Sequence, residues 1–288
     1  MSSIASSMNV QMAQEVSPAL RSEAMIAIPD MAPTQAALAE RLTTQLTLTP
    51  QVATQVFQFI ATDLPTMPMT SQIASVMFKS FKLNNGKELK AANLTPAIDV
   101  DPKDWYAPVI VEVQMLGIMQ GSPVTGLFEP ERLMNQAEFA KTLANAVSKV
   151  ETAPHAAAPV SGAFDRWPTW ATKAVAVLKS YDVPTTFFRA DPAESITRLQ
   201  LAQGIATVLF ADDDVNTASA KYFKDINAIP IPLRETVRTV SALGIMTGDG
   251  ATGTFDPYRF ANRAEVAKVF ATALRIKAQQ MSAEAMSR

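Results

Sequence analysis

Apolar positions recur along this chain in short helical stripes that proline and glycine interrupt. Leu38, Leu42 and Leu46 repeat every four residues and predict one helix. Thr49-Pro50 opens a second, with Val52, Val56, Phe57 and Ile60 on one side, and Pro65 and Pro68 break it. A third, capped by Thr70 or Ser71, aligns Ile73, Val76, Met77 and Phe81. Asn84-Asn85-Gly86 then signals a turn. Residues 1–33 show no such period and read as a flexible arm, with 34–97 as a small helical region.

From residue 98 the stripes belong to a repeat. Gly117-Ile118-Met119-Gln120-Gly121, Phe128-Glu129-Pro130 and Asn135-Gln136-Ala137-Glu138 return as Gly244-Ile245-Met246-Thr247-Gly248, Phe255-Asp256-Pro257 and Asn262-Arg263-Ala264-Glu265. The offset is 127 residues in all three blocks (117 to 244, 128 to 255, 135 to 262). In the first copy Asp104 is placed to cap a helix from Trp105 to about Leu116, with Val109, Val113 and Leu116 turned inward. Gly117 ends it in a left-handed residue. Ile118 and Met119 make a brief extended piece, and Phe128 anchors the following loop. Asn135-x-x-Glu138 reads as a capping box for a second helix that buries Phe139, Leu143 and Val147. The last copy repeats this from Phe223-Lys224-Asp225-Ile226 through a helix at about Pro232–Leu243 to the Asn262-capped helix. Between them, Phe164 to Ala171, Asp191-Pro192 and Ile196-Thr197-Arg198-Leu199-Gln200 predict a worn middle copy. Its cap, Thr197, lies between Asn135 and Asn262, at steps of 62 and 65 residues. The copies are assigned to 98–150, 162–212 and 221–275, with linkers at Glu151–Ser161 and Ala211–Ala220 and a helical tail at 276–288. A unit of about fifty residues cannot bury its own stripes, so the copies should share a core. The fold class expected is mainly α: three tandem helix-loop-helix repeats in a pseudo-threefold arrangement.

Composition narrows the chemistry. The 288 residues contain no cysteine and one histidine, carry a formal charge of −2, and are 48% hydrophobic and 18% charged. Disulfides, thiol nucleophiles and Cys-ligated metals are therefore excluded. His155 lies in a linker, without ligand spacing around it. The densest basic stretch, Lys79, Lys82, Lys87 and Lys90, fits a solvated helix end and turn, and no polybasic run points to nucleic acid. No apolar run approaches the ~20 residues of a membrane span, and no signal peptide is visible. Asp104, Asp225 and Glu265 can be nominated as catalytic carboxylates, but each has a capping role available and no spacing singles out an acid/base pair. No enzyme and no cofactor is expected.

Asp104-Trp105-Tyr106-Ala107, Leu116-Gly117-Ile118-Met119, Phe-x-Pro and Asn262-Arg263-Ala264-Glu265 together resemble the S-layer homology domain, whose closing helix begins Thr-Arg-Ala-Glu. Three tandem copies are usual in that family. The resemblance implies non-catalytic anchoring at the cell envelope or extracellular surface. The implied ligand is cell-wall polysaccharide or a peptidoglycan-linked polymer, often carboxylate-bearing. It leaves room for self-association or an envelope protein partner. Carried over by position, it marks Arg198 and Arg263 as the motif arginines, Trp105 and Trp170 as sugar platforms, and Gly121 and Gly248 as motif glycines. Gln136 stands where the first copy should have arginine, and Gln200 where the middle copy should have glutamate. The third copy has Ile229-Pro230-Ile231-Pro232-Leu233 in place of the tryptophan. The start of each closing helix, with free backbone N–H groups and an arginine fork, is the expected anion site. The alternative is an assembly subunit that keeps the fold without the glycan; the arginines would then serve ion pairs and the tryptophans the core.

Overall fold

A computed structural model describes residues 80–82, 88–90, 97–150 (except 98, 102, 123, 124 and 126) and 162–287 (except 163 and 182). The stripes between residues 34 and 77, the arm and His155 lie outside the described residues. The chain divides into two units, Met1–Pro130 and Glu131–Arg288, so the division falls inside the first copy.

In the first unit, β1 (Ser80–Lys82) pairs antiparallel with β2 (Glu88–Lys90), and Phe81 stands opposite Leu89. Phe81 therefore does not end a helix as its spacing suggested: it sits in a hairpin whose strands flank the Asn84-Asn85-Gly86 signal. α1 (Ala107–Met115) follows. It begins two residues later than expected, and its N-cap is Tyr106, without a side-chain bond. Asp104 does not cap it, because its carboxylate instead accepts the Asp101 N–H, 3.2 Å away, and closes a turn before the helix. Val113 and Leu116 are buried as expected, and Val109 is half-buried. Gly117 ends the helix at φ +71°, with Ile118 N–H donating back to the Val113 carbonyl. Only a residue without a Cβ takes that conformation cheaply.

The second unit contains α2 (Gln136–Val150), α3 (Thr169–Ser180), α4 (Arg198–Leu209), α5 (Ile231–Ala242) and α6 (Arg263–Ser287). The described residues are thus mainly helical. Helices α2, α4 and α6 touch one another pairwise, α3 packs on α2, and α5 packs on α4. Phe139 on α2 is fully buried between α4 and α6: its ring lies 6.4 Å from that of Phe270, and Gly204 faces it without a side chain. Leu143 and Val147 continue the buried stripe.

Each of the three closing helices begins with a reciprocal cap. Asn135 accepts from Glu138 N–H (2.8 Å) and Glu138 from Asn135 N–H (3.3 Å); Asn262 and Glu265 do the same at 2.9 and 3.1 Å. Thr197 and Gln200 form the third box at 3.2 and 3.0 Å. The residues just before these caps close a ring of backbone bonds. Met134 N–H donates to Ala261 O, Ala261 N–H to Ile196 O, and Ile196 N–H to Met134 O, each at 2.9 to 3.0 Å. Met134, Ile196 and Ala261 are all buried, so each strand-like segment satisfies the backbone of the next where water cannot. α6 continues without a break beyond residue 275. Lys277 Nζ holds Asp213 at 2.6 Å, which ties this extension to the segment after α4.

Candidate functional site

Two features shape the loops ahead of the closing helices. Phe128 and Phe255 are fully buried, as the repeat predicted. The residue after each, Glu129 (φ 56°) and Asp256 (φ 57°), is in the left-handed region. That geometry costs roughly 1–2 kcal/mol for a residue with a Cβ. It aims two consecutive N–H groups at one carboxylate. Asp225 accepts from Phe255 (2.8 Å) and Asp256 (2.9 Å), and Asp99 accepts from Phe128 (2.8 Å) and Glu129 (2.6 Å). The role of Asp225 is therefore to hold this loop; it makes no side-chain cap to the short helical turn that follows it.

The closing helices differ from expectation in one respect that bears on binding. Their first N–H groups are not free. Arg198 N–H donates to Arg259 O and Leu199 N–H to Pro257 O; Gln136 and Ala137 donate to Glu194 O and Pro192 O; Arg263 donates to Arg132 O. Each helix start is docked on a loop from another part of the chain, so its amides serve the fold. Recognition of an anion at these positions falls to side chains.

Those side chains form matched sets. Arg132 grips Glu138 through both terminal nitrogens, at 3.1 and 2.6 Å, and Arg263 approaches the same carboxylate at 3.5 Å. Arg259 grips Glu265 in the same bidentate way, and Arg198 is the second cation beside it. Burial alone would raise the Glu265 carboxyl. The Arg259 hydrogen bond, the Asn262 N–H, and the Arg259 and Arg198 charges together outweigh that and hold it below the usual carboxylate range. At the third position Gln136 Nε2 donates to Gln200 Oε1 at 3.3 Å. Gln136, where the motif has arginine, and Gln200, where the motif has glutamate, thus meet across one contact. Nothing in one copy alone reveals it. The participation of Arg132 and Arg259 was legible in principle, because they too lie 127 residues apart.

The nominated residues end up in different surroundings. Arg263 is 6% exposed and committed to Glu138. Gln136 is fully buried, with its Oε1 unpartnered. Arg198 is half-buried; its Nε donates to Phe255 O at 2.9 Å, and its guanidinium stacks 5.2 Å from the Phe255 ring centre. Desolvation and the neighbouring Arg259 lower its pKa. Its two terminal nitrogens make no hydrogen bond among the described residues, which leaves a planar donor pair for a ligand. Trp105 is 56% exposed and edge-stacked on Tyr106; Trp170 is 38% exposed with Lys141 Nζ over its ring at 5.6 Å. Neither tryptophan is core. The buried one is Trp167, whose indole donates to Ala190 O at 3.0 Å. Gly121 and Gly248 lie where the loop doubles back: Ser122 N–H meets Leu127 O and Asp249 N–H meets Thr254 O. A Cβ on either would come within 2.8 Å of a carbonyl oxygen. Their absence of a side chain is a backbone requirement.

A family model for the S-layer homology domain matches residues 99–140 and 222–267. These two segments are similar to the S-layer homology domain. The matches begin at Asp99 and at Tyr222, just ahead of Asp225, so each includes its loop-holding carboxylate, its Phe-x-Pro and its capping box. No curated protein matches the chain. S-layer homology domains are in general non-catalytic cell-surface anchoring modules that bind cell-wall polymers. No described helix is long and apolar enough to cross a membrane, and among the described residues no group of three His, Cys, Asp or Glu could hold a metal ion.

Proposed function

We propose that this protein attaches to the cell envelope, at the extracellular surface, by binding an anionic group of a cell-wall polysaccharide or peptidoglycan-linked polymer. On this reading 98–150, 162–212 and 221–275 are three S-layer homology copies. Residues 1–33 are an arm, 34–97 a small helical region that also holds the β1–β2 strand pair, and 276–288 a tail. The closed ring of bonds through Met134, Ile196 and Ala261 supports counting the middle segment as a copy.

The observation that carries the reading is the open fork of Arg198. It is desolvated and oriented by Phe255, so a carboxylate meets it with little further ordering. Trp170 and Trp105 supply exposed ring faces of the kind a sugar covers. Gly121 and Gly248 shape the loops, while Arg263 and Gln136 complete contacts between helices. The test is co-sedimentation of the full chain with purified wall sacculi, before and after removal of their anionic polymer. Arg198→Ala should weaken retention about tenfold or more, since a hydrogen bond to a charged group contributes roughly 1.5–3 kcal/mol. Retention equal to that of the unaltered chain would refute the role of Arg198. A second reading, an assembly subunit that binds protein through this fold, gains support from the occupied helix amides. It predicts no sedimentation with any sacculi.

A further inference from the structure

The three docking points between closing helices are built from equivalent residues, and one of them has the opposite charge. The backbone bonds fix the equivalence. Arg263, Arg198 and Gln136 donate to the carbonyls of Arg132, Arg259 and Glu194 respectively. The third member of each set is the capping-box residue: Glu138, Glu265 and Gln200. Two sets are therefore Arg–Glu–Arg, net +1. The third is Glu194–Gln200–Gln136, net −1. Neighbours narrow the difference in summed charge, since Asp256 and Asp225 lie beside Arg198 and Arg189 beside Glu194; what separates the sites is the open Arg198 fork, which has no counterpart in the third set.

We propose that Glu194, Gln200 and Gln136 are specificity-determining residues: they make this docking point refuse the anionic group that the proposed function assigns to Arg198. The chain then reads an anion at one or two of three similar positions. The inference rests on that proposed function, and its physics is simple. Gln136 is fully buried, so an arginine there needs a carboxylate partner, and a carboxylate at 200 needs arginines on both sides. Loss of one charge would strand the others. A concerted change to a hydrogen-bonded glutamine pair leaves no buried charge, and Glu194 then faces solvent paired with Arg189 at 3.3 Å. With no arginine in the set and the rim cation Arg189 already paired with Glu194, no open fork there balances an incoming anion.

The test rebuilds the arginine set where it is missing. Gln136→Arg, Glu194→Arg and Gln200→Glu are combined in the full chain, alone and with Arg198→Ala. Retention on sacculi carrying their anionic polymer is compared with retention on stripped sacculi. In the Arg198→Ala background the three changes should recover at least about a third of the retention lost, through new charge-assisted bonds. A cooperatively folded quadruple variant that stays at the Arg198→Ala level overturns the inference and leaves the proposed function standing. Should Arg198→Ala bind like the unaltered chain, the role of Arg198 fails on its own; the triple variant should then still bind about tenfold tighter, and equal binding overturns the inference. If the triple variant does not fold, Glu194→Arg alone, at a half-exposed position, keeps the test. It should raise retention about two- to threefold at low salt and lose the gain near 0.5 M salt, where surface charges are screened. No change at low salt overturns the inference.

Discussion

Gly244 and Gly248 separate backbone strain from steric crowding within one loop. Both have positive φ, +72° and +66°. An alanine at either therefore meets a similar left-handed penalty, roughly 1–2 kcal/mol. Their surroundings differ. A Cβ at 244 has nothing within 4 Å, whereas a Cβ at 248 would lie 2.5 Å from both Phe223 Cε1 and the Thr254 carbonyl oxygen. Neither neighbour can yield cheaply. Phe223 is buried against Phe255, and Thr254 O is bonded to Asp249 N–H. Overpacking of this kind costs about 1–3 kcal/mol. Gly244→Ala should therefore destabilise by about 1–2 kcal/mol, and Gly248→Ala by about 2–5 kcal/mol. Urea unfolding of both variants, followed by far-UV circular dichroism at matched slopes, gives the difference directly. If Gly248→Ala costs no more than Gly244→Ala, the closeness of the Phe223 ring is not what fixes glycine there.

Three further outcomes concern the charged groups. Asp225→Ala should destabilise by about 2–4 kcal/mol in the same urea assay, since it leaves two N–H groups at a buried phenylalanine without their carboxylate; a loss under about 0.5 kcal/mol would show that water replaces it. Glu265 has a lowered carboxyl pKa in the folded chain, so its stabilisation is fully present above the unfolded value of 4.5 and is lost as pH falls through the folded one. Glu265→Gln should accordingly be less stable than the unaltered chain at pH 7 and converge with it in acid. Burial pushes Lys149 down to about 8, so the folded chain binds fewer protons than the unfolded chain between about pH 8 and 10.5. Its contribution to stability rises with pH across that window, and Lys149→Met should stabilise at pH 7 with a gain that shrinks by pH 10.

Backbone requirements were the legible part of this sequence. Capping boxes need an acceptor and a reciprocal partner three residues apart, and Asn135/Glu138, Thr197/Gln200 and Asn262/Glu265 all form. Gly117 and Gly244 announce helix ends because few other residues take their φ. What escaped were relations across the chain. Asp104 had the right spacing for a cap, but the turn through Asp101 claimed its carboxylate. Phe81 fitted a helical stripe, yet strand pairing with Leu89 decided its place. The helix amides looked free because their acceptors, the carbonyls of Pro192, Glu194, Pro257 and Arg259, belong to other segments.

The same distinction explains why the segment between the two matched copies departs from their motifs. Compared motif by motif, Gln136 and Gln200 are two separate departures from the family pattern. In space they are one contact, and Glu194 completes the set. A buried ion pair resists piecemeal loss, because removing one partner leaves an uncompensated charge that costs roughly 3–5 kcal/mol. A neutral glutamine pair at the two inner positions avoids that penalty and leaves Glu194 at the exposed rim. A position can thus depart from its family's motif and keep its place in the packing. Gln136 still joins two closing helices, as Arg263 does. What it gives up is charge, and charge is the property an anionic polymer reads. On the proposed function, the departures in this chain mark where a ligand group is admitted rather than how far the fold has decayed.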